Sequence, residues 1–438
     1  MQVLIYLAAV AVVLGVLVFV HEFGHYAVAK LCGVRVEVFS LGFGKRLWGF
    51  RRGNTDYRIS LLPLGGYVKM AGENPMEEHT GDPGEFTSHP RWQRFLIAIA
   101  GPAMNIVLAI LVFTGVFKFH HDYWPVERQP VYVFSVAPGS PAEKAGIQPG
   151  DTIVKIDNVW NPNWNQAFIG FGMSASQAVD VKVKRGSQVL DKRLVPEPKG
   201  AERVGEVGLT PPEVVGTLEP DMPAAKAGVH FGDVLLSVNG VKVQNTQEVQ
   251  DVLEKTKDTP VPLTIWRDGK EWTFTVTPVL NDIPGQEKKY RIGFSSVAVE
   301  RLPLPQAFSS ALAECKENAL LIFKLLGKMV QRPKDSLAQM SGPIGITIIS
   351  GEAAKAGFWQ FIAVMALISL NLAVFNLLPI PILDGGLILM LGIEGILRRD
   401  IKQEIKERVY QVAFVFLLLF AAVVIYNDLA KALPGHLL

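Results

Sequence analysis

Four stretches of the 438-residue chain are long and apolar enough to cross a bilayer, and no other feature restricts the fold as much. Spanning the roughly 30 Å of hydrocarbon takes about 20 residues of helix. Val3 to Val20, Phe95 to Phe117, Phe358 to Leu378, and Val412 to Tyr426 with its flanks meet that need. Backbone polar groups in lipid must be satisfied within the protein, which makes each isolated run of this kind a helix. The first run has no Lys or Arg before it and no small-residue cleavage site after it, so it reads as an uncleaved membrane helix rather than a removable leader.

Charge acts here through its distribution. The net charge of +2 argues for no nucleic-acid partner. Lys45, Arg46, Arg51, Arg52, Arg58, Lys69 and Arg91 crowd the segment between the first two runs, and Arg398, Arg399, Lys402, Lys406 and Arg408 follow the third. Positive charge favours the cytoplasmic side, so both loops are expected there. The region from His120 to Gly357 then lies outside the cytoplasm, and the motif that ends the first run meets the end of the third run at the cytoplasmic side. Cys32 and Cys315 are too far apart in sequence to suggest a disulfide framework or a zinc ribbon, and both read as packing residues.

The outer region contains a repeat. "SPAEKAGIQPGDTIVKIDNV" (140–159) and "MPAAKAGVHFGDVLLSVNGV" (222–241) agree at eight of twenty positions with an offset of 82. Each reads as a short helix stopped by Gly146 or Gly228, a turn at Gly150-Asp151 or Gly232-Asp233, and an alternating strand. This pattern resembles bacterial PDZ domains. The resemblance implies recognition of peptide or protein segments, commonly by strand addition to a sheet edge. A rigid spacer or a size filter is the alternative. "VGLTP" near Val207 and "RIGF" near Ile292 are the candidate groove strands. After the second repeat, Phe308, Leu312, Cys315, Ala319, Phe323 and Leu326 recur at helical spacing, as in a helix lying on a membrane surface or in a core helix of that repeat.

The first run ends in "HEFGH", His21 to His25. Four residues apart on a helix, His21 and His25 point the same way and can share one zinc ion, with Glu22 beside the water such an ion binds. Ionisable groups at membrane depth are costly, and this one is functional by default. A catalytic zinc usually takes a third protein ligand. No other histidine is well placed for that role. Asp384 is better placed, at the end of "NLAVFNLLPIPILDGG", where Pro379 and Pro381 prevent a regular helix. Irregular backbone at that depth must line a cavity or be buried in protein. Asp384 could instead simply cap the next helix, with Gly385 and Gly386 forming a turn.

HEFGH, "GPAMN" (Gly101 to Asn105), two PDZ-like repeats and "NLLPIPILDGG" together resemble the site-2 protease family over nearly the whole chain. The resemblance implies an intramembrane zinc metalloprotease. His21, His25 and Asp384 would hold one Zn2+ and Glu22 would be the catalytic base. Asn371, Asn376, Pro379 and Pro381 match family positions associated with substrate handling. "YRISLLPLGGYVKM" (57–70), with a turn at Gly65-Gly66 before Tyr67, corresponds to a membrane re-entrant β-loop that offers substrate an edge, although its polarity equally suits a soluble cytoplasmic hairpin. The implied substrates are single-span membrane proteins such as a trimmed anti-sigma factor, or remnant signal peptides, cut in a bacterial inner membrane. A membrane-anchored PDZ scaffold with a degenerate metal site is the reading from another class.

The expected fold is a polytopic α-helical membrane protein with four transmembrane helices and two tandem extracytoplasmic α+β PDZ domains. Residues 1–30 carry the first span and motif, 31–93 a cytoplasmic segment with the re-entrant β-hairpin, and 94–118 the second span. Residues 127–212 and 213–300 are the PDZ repeats and 304–331 the amphipathic surface helix. The third span and LDG segment occupy 358–386, and the fourth span 410–428.

Overall fold

The computed structural model describes residues 2–73, 81–200, 203–281, 288–331 and 342–432. These divide into a helical unit, Met1–Phe119 with Leu302–Leu438, and a β-rich unit, His120–Arg301.

In the helical unit the four apolar runs are helices of spanning length: α1 (Gln2–Cys32), α2 (Arg91–Phe119), α5 (Phe358–Asn376) and α7 (Gln403–Ala432). Between α2 and α5 in this unit lie α3 (Leu304–Gln331) and α4 (Pro343–Ala356), and α6 (Asp384–Leu397) follows α5. A rise of 1.5 Å per residue sets His21 about 27 Å along α1 from Val3, close to the far boundary of a ~30 Å hydrocarbon layer. Small residues let α1 and α2 touch: a Cβ at Gly24 would stand 2.3 Å from the carbonyl oxygen of Ala100.

α3 belongs to this unit and not to the second repeat. Ala307, Ala311 and Cys315 pack with Phe113, Phe117 and Leu370 of α2 and α5, while Phe308, Leu312 and Phe323 stay exposed. The helix therefore has two apolar faces, one against its neighbours and one outward. Cys315 is buried and Cys32 half-buried, and both are free thiols.

Between α1 and α2, β1 (Val36–Arg52) and β2 (Thr55–Met70) each bend back and pair twice. Val38 to Leu41 pairs with Asp56–Ile59 on one side and with Gly66–Lys69 on the other, and Arg46–Arg52 pairs with the outer side of Thr55–Ser60. The order is thus 46–52, 55–60, 36–41, 66–70. Of the 57–70 stretch expected to offer an edge, Tyr57–Ile59 is already paired on both sides, whereas Gly66–Met70 is paired on one side and leaves the other open.

The β-rich unit holds the two repeats. In the first, strands Thr152–Ile156, Val159–Trp160, Val179–Arg185 and Gln188–Leu194 make an antiparallel sheet around Val131, Ile153, Val181, Val183 and Phe171. In the second, Val234–Val238, Val261–Arg267 and Lys270–Val276 enclose Val215, Leu235, Leu263 and Ile265. The Gly-Asp turn has the same use in both. Arg185 donates to both oxygens of Asp151 (2.7 and 2.8 Å) and to the carbonyl of Gly146, and Arg267 treats Asp233 and Gly228 alike. The N–H of Gln148 or His230 completes each aspartate's shell. The fork ties the stop of the helix to the end of strand Val179–Arg185 or Val261–Arg267, which explains why this dipeptide recurs 82 residues apart.

Asp151 is fully buried, yet burial is outweighed by the donors from Arg185 and Gln148, and its carboxyl is held below the usual carboxylate range. A lowered folded-state value contributes stability above the ordinary carboxylate pKa that is lost as pH falls through the lowered value. Arg185→Ala should destabilise the first repeat, because it leaves the buried Asp151 carboxylate without its charge partner. Urea-dependent proteolysis of the first repeat measures the loss.

Candidate metal centre

The site is built where α1, α2 and the start of α6 meet. His21 and His25 are one turn apart on α1, nearly buried, with their Nε2 atoms 3.2 Å apart. Asp384 opens α6 and turns its carboxylate onto both, Oδ2 lying 3.1 Å from His21 Nε2 and Oδ1 3.4 Å from His25 Nε2. Asp384 is the first helical residue of α6 and the cap position is Leu383, so its carboxylate faces the histidines rather than serving as the cap.

Three tests show that the group fits a zinc ion. Tetrahedral ligands at 2.0–2.1 Å from a metal lie about 3.3 Å apart, and the observed separations bracket that value. The ring nitrogens are also correctly turned. His25 Nδ1–H donates to the carbonyl of Ile97 at 2.7 Å, which leaves Nε2 as the free ligand atom. Asn105 of α2 is fully buried with its amide 3.3 Å from His21 Nδ1 and its Oδ1 without a partner. Turning that amide by 180° brings the orphaned oxygen to Nδ1–H and fixes the same tautomer in His21. Space is the third test: a Cβ built on Gly101 would lie 2.3 Å from His25 Nε2 and 2.8 Å from His21 Nε2, so glycine leaves open a volume that any side chain would fill.

The chain before Asp384 is bent to deliver it. Gly385 and Gly386 sit against the carbonyls of Leu377, Leu378 and Ile380, where a Cβ would come within 2.3 Å. Ile382 has φ +88°, a strained value for a β-branched residue. Pro379 and Pro381 lie in this connection and keep it from continuing α5.

A cavity of about 460 Å³ opens on the cluster. Its lining includes Glu22, Gly65, Gly66, Tyr67, Glu73 and Asn376. Glu22 Oε2 accepts a hydrogen bond of 3.0 Å from the N–H of Val68. Asn371 is elsewhere: five residues before Asn376 on α5, it faces a second, apolar cavity of about 460 Å³ with Leu14, Ile322, Ile346 and Phe375. Pro379 and Pro381 line neither cavity. In the sequence GPAMN was only part of the family resemblance, and the structure gives it a local use, since Gly101 and Asn105 both lie against the histidines. Glu73 had no sequence signal.

A metal-ready histidine pair and carboxylate inside a bundle of membrane-spanning helices define a membrane-embedded zinc metalloprotease. Comparison with known proteins agrees. Residues 9–420 match the model of peptidase family M50. The regulator of sigma-E protease RseP of Escherichia coli strain K12 is 34% identical over 462 residues, covering 97% of this chain and 98% of its own. Protease RseP of Yersinia pestis is 31% identical over 462 residues, covering 98% and 100%. Among solved structures, the PDZ domain of an SdrC-like protein from Listeria monocytogenes matches 19% of this chain and 83% of its own, at 23% identity and a TM-score of 0.17. The chain belongs to peptidase family M50, the site-2 proteases, and is a multi-pass membrane zinc metalloprotease.

Proposed function

We propose that this protease hydrolyses peptide bonds within the membrane-spanning segments of single-span proteins, at the cytoplasmic side of a bacterial inner membrane. The observation that carries the reading is one cavity holding the metal-ligand cluster, Glu22 and the open side of strand Gly66–Met70 at the end of a spanning helix. The basic loops at 30–94 and 398–408 support that orientation. A PDZ scaffold with a degenerate site would need neither the oriented imidazoles nor the open Gly101.

His21, His25 and Asp384 would hold the ion. Zinc there supplies Lewis-acid polarisation of the scissile carbonyl and brings the pKa of water toward about 7. Glu22 takes the proton from the attacking water as its oxygen bonds to the carbonyl carbon, and delivers that proton to the amine as the C–N bond breaks. A helical substrate hides its carbonyls and must unwind, so each exposed group needs a new partner. Strand Gly66–Met70, following the turn at Gly65, offers main-chain partners beside Tyr67, and Asn376 offers an amide in the same cavity. Asn371, on the other face of α5, would meet a more distant part of the substrate. Pro379 and Pro381 act by holding the connection that presents Asp384. By family resemblance the substrates are of the anti-sigma factor type or remnant signal peptides, and the PDZ-like repeats meet peptide or protein segments outside the cytoplasm.

Purified protein should contain about one zinc per chain, as a single catalytic site does. A chelator should stop cleavage of a transmembrane reporter. Asp384→Asn should lower both zinc content and cleavage, and unchanged values of both would remove it from the ligand set.

A further inference from the structure

The open side of strand Gly66–Met70 is not bare. Its other side pairs with Val36–Leu41, and the N–H of Ala71 points that way too, donating to Arg35 O at 2.9 Å. Alternation along the strand turns the N–H groups of Val68 and Met70 outward. Each meets a carboxylate. Val68 N–H donates to Glu22 Oε2 at 3.0 Å, and Met70 N–H donates to Glu73 Oε2 at 3.2 Å.

Donors two residues apart recur every ~6.8 Å along a strand, which is also the spacing of the carbonyls that an added strand presents. The two carboxylates therefore stand where successive substrate carbonyls would pair. Glu73 gets there through a tight turn, its own N–H lying 3.4 Å from Met70 O, with Gly72 at φ +68° packed on Glu85.

We propose that Glu22 and Glu73 plug the pairing edge, and that an incoming substrate strand displaces both, freeing Glu22 for the metal site only once substrate is seated. This rests on the reading of Gly66–Met70 as the substrate's pairing edge. An unpaired edge is a liability that proteins cover, and here the catalytic base is part of the cover. A carboxylate is a stronger acceptor than a peptide carbonyl, so Glu73 holds the edge's affinity down. It is a positioning residue that acts on substrate through Met70.

The test is cleavage kinetics of a single-span reporter by the full chain in detergent. Glu73→Ala should lower KM about tenfold, equivalent to ~1.4 kcal/mol, with the change in KM rather than kcat and zinc content retained. Glu73→Gln, which keeps a neutral acceptor for Met70, should fall between. An unchanged or raised KM in Glu73→Ala overturns the plug, and so does a Gln variant that matches Ala. Cross-linking separates this from failure of the edge itself. With Cys32→Ala and Cys315→Ala in place, and a mild oxidant added to accept the two electrons of disulfide formation, Tyr67→Cys should link to a cysteine in the reporter, faster when Glu73 is Ala. No link in either background overturns both the edge and the plug; equal links with unchanged KM leave the edge standing and overturn the plug.

Discussion

Glu22→Gln is expected to lower cleavage of a transmembrane reporter by about 10²–10⁴-fold, the range for loss of a general base, while zinc content stays at the wild-type value. The amide has the shape of the carboxylate and can still accept from Val68 N–H, so the cavity is undisturbed. It cannot take a proton from water or return one to the leaving amine. The metal-ready group of His21, His25 and Asp384 is untouched, which is why zinc content and turnover should part company in this variant. Cleavage near the wild-type rate would show that another group serves as base.

Gly101→Ala should have the opposite signature, loss of zinc with the fold retained. The new methyl would lie 2.3 Å from His25 Nε2, 2.7 Å from His25 Cε1 and 2.8 Å from His21 Nε2, inside the space an ion bound to both nitrogens needs. The histidines cannot retreat freely, because His25 is tied to Ile97 and His21 to Asn105. In the helix itself, alanine is favoured over glycine by up to ~1 kcal/mol, so α2 should not be weakened by propensity. Gly115→Ala supplies the control on the same helix, since nothing lies within 4 Å of its Cβ. Metal analysis and reporter cleavage of the two variants make the comparison. Full zinc in Gly101→Ala would mean that the ion binds away from the space between the two Nε2 atoms.

Much of the helical unit was legible because its signals are local. Val3 to Val20 is apolar over a bilayer's length, and a helix there follows from the cost of unpaired backbone in lipid. His21 and His25 share a face because the helix turns every 3.6 residues. The repeat at 140–159 and 222–241 was equally visible, although the reason for its Gly-Asp dipeptide, the fork from Arg185 or Arg267, was not. Tyr57–Met70 looked like one edge because alternation says nothing about which side of a strand is already paired. Asn371 and Asn376 were grouped together, and the turn of α5 sends them to separate cavities.

The sequence by itself determined the spans, the tandem repeat and a histidine pair on one helical turn, all of them properties of short stretches with a fixed period. Tertiary structure decided how the remaining side chains gather around HEFGH. It brings Asp384 to the histidines, sets Gly101 where the ion needs room, aims Ile97 and Asn105 at the far sides of the imidazoles, and places Glu22 against an open strand. Those relations depend on how α1, α2, α6 and the sheet pack, and contacts between distant segments leave no periodic trace in the chain.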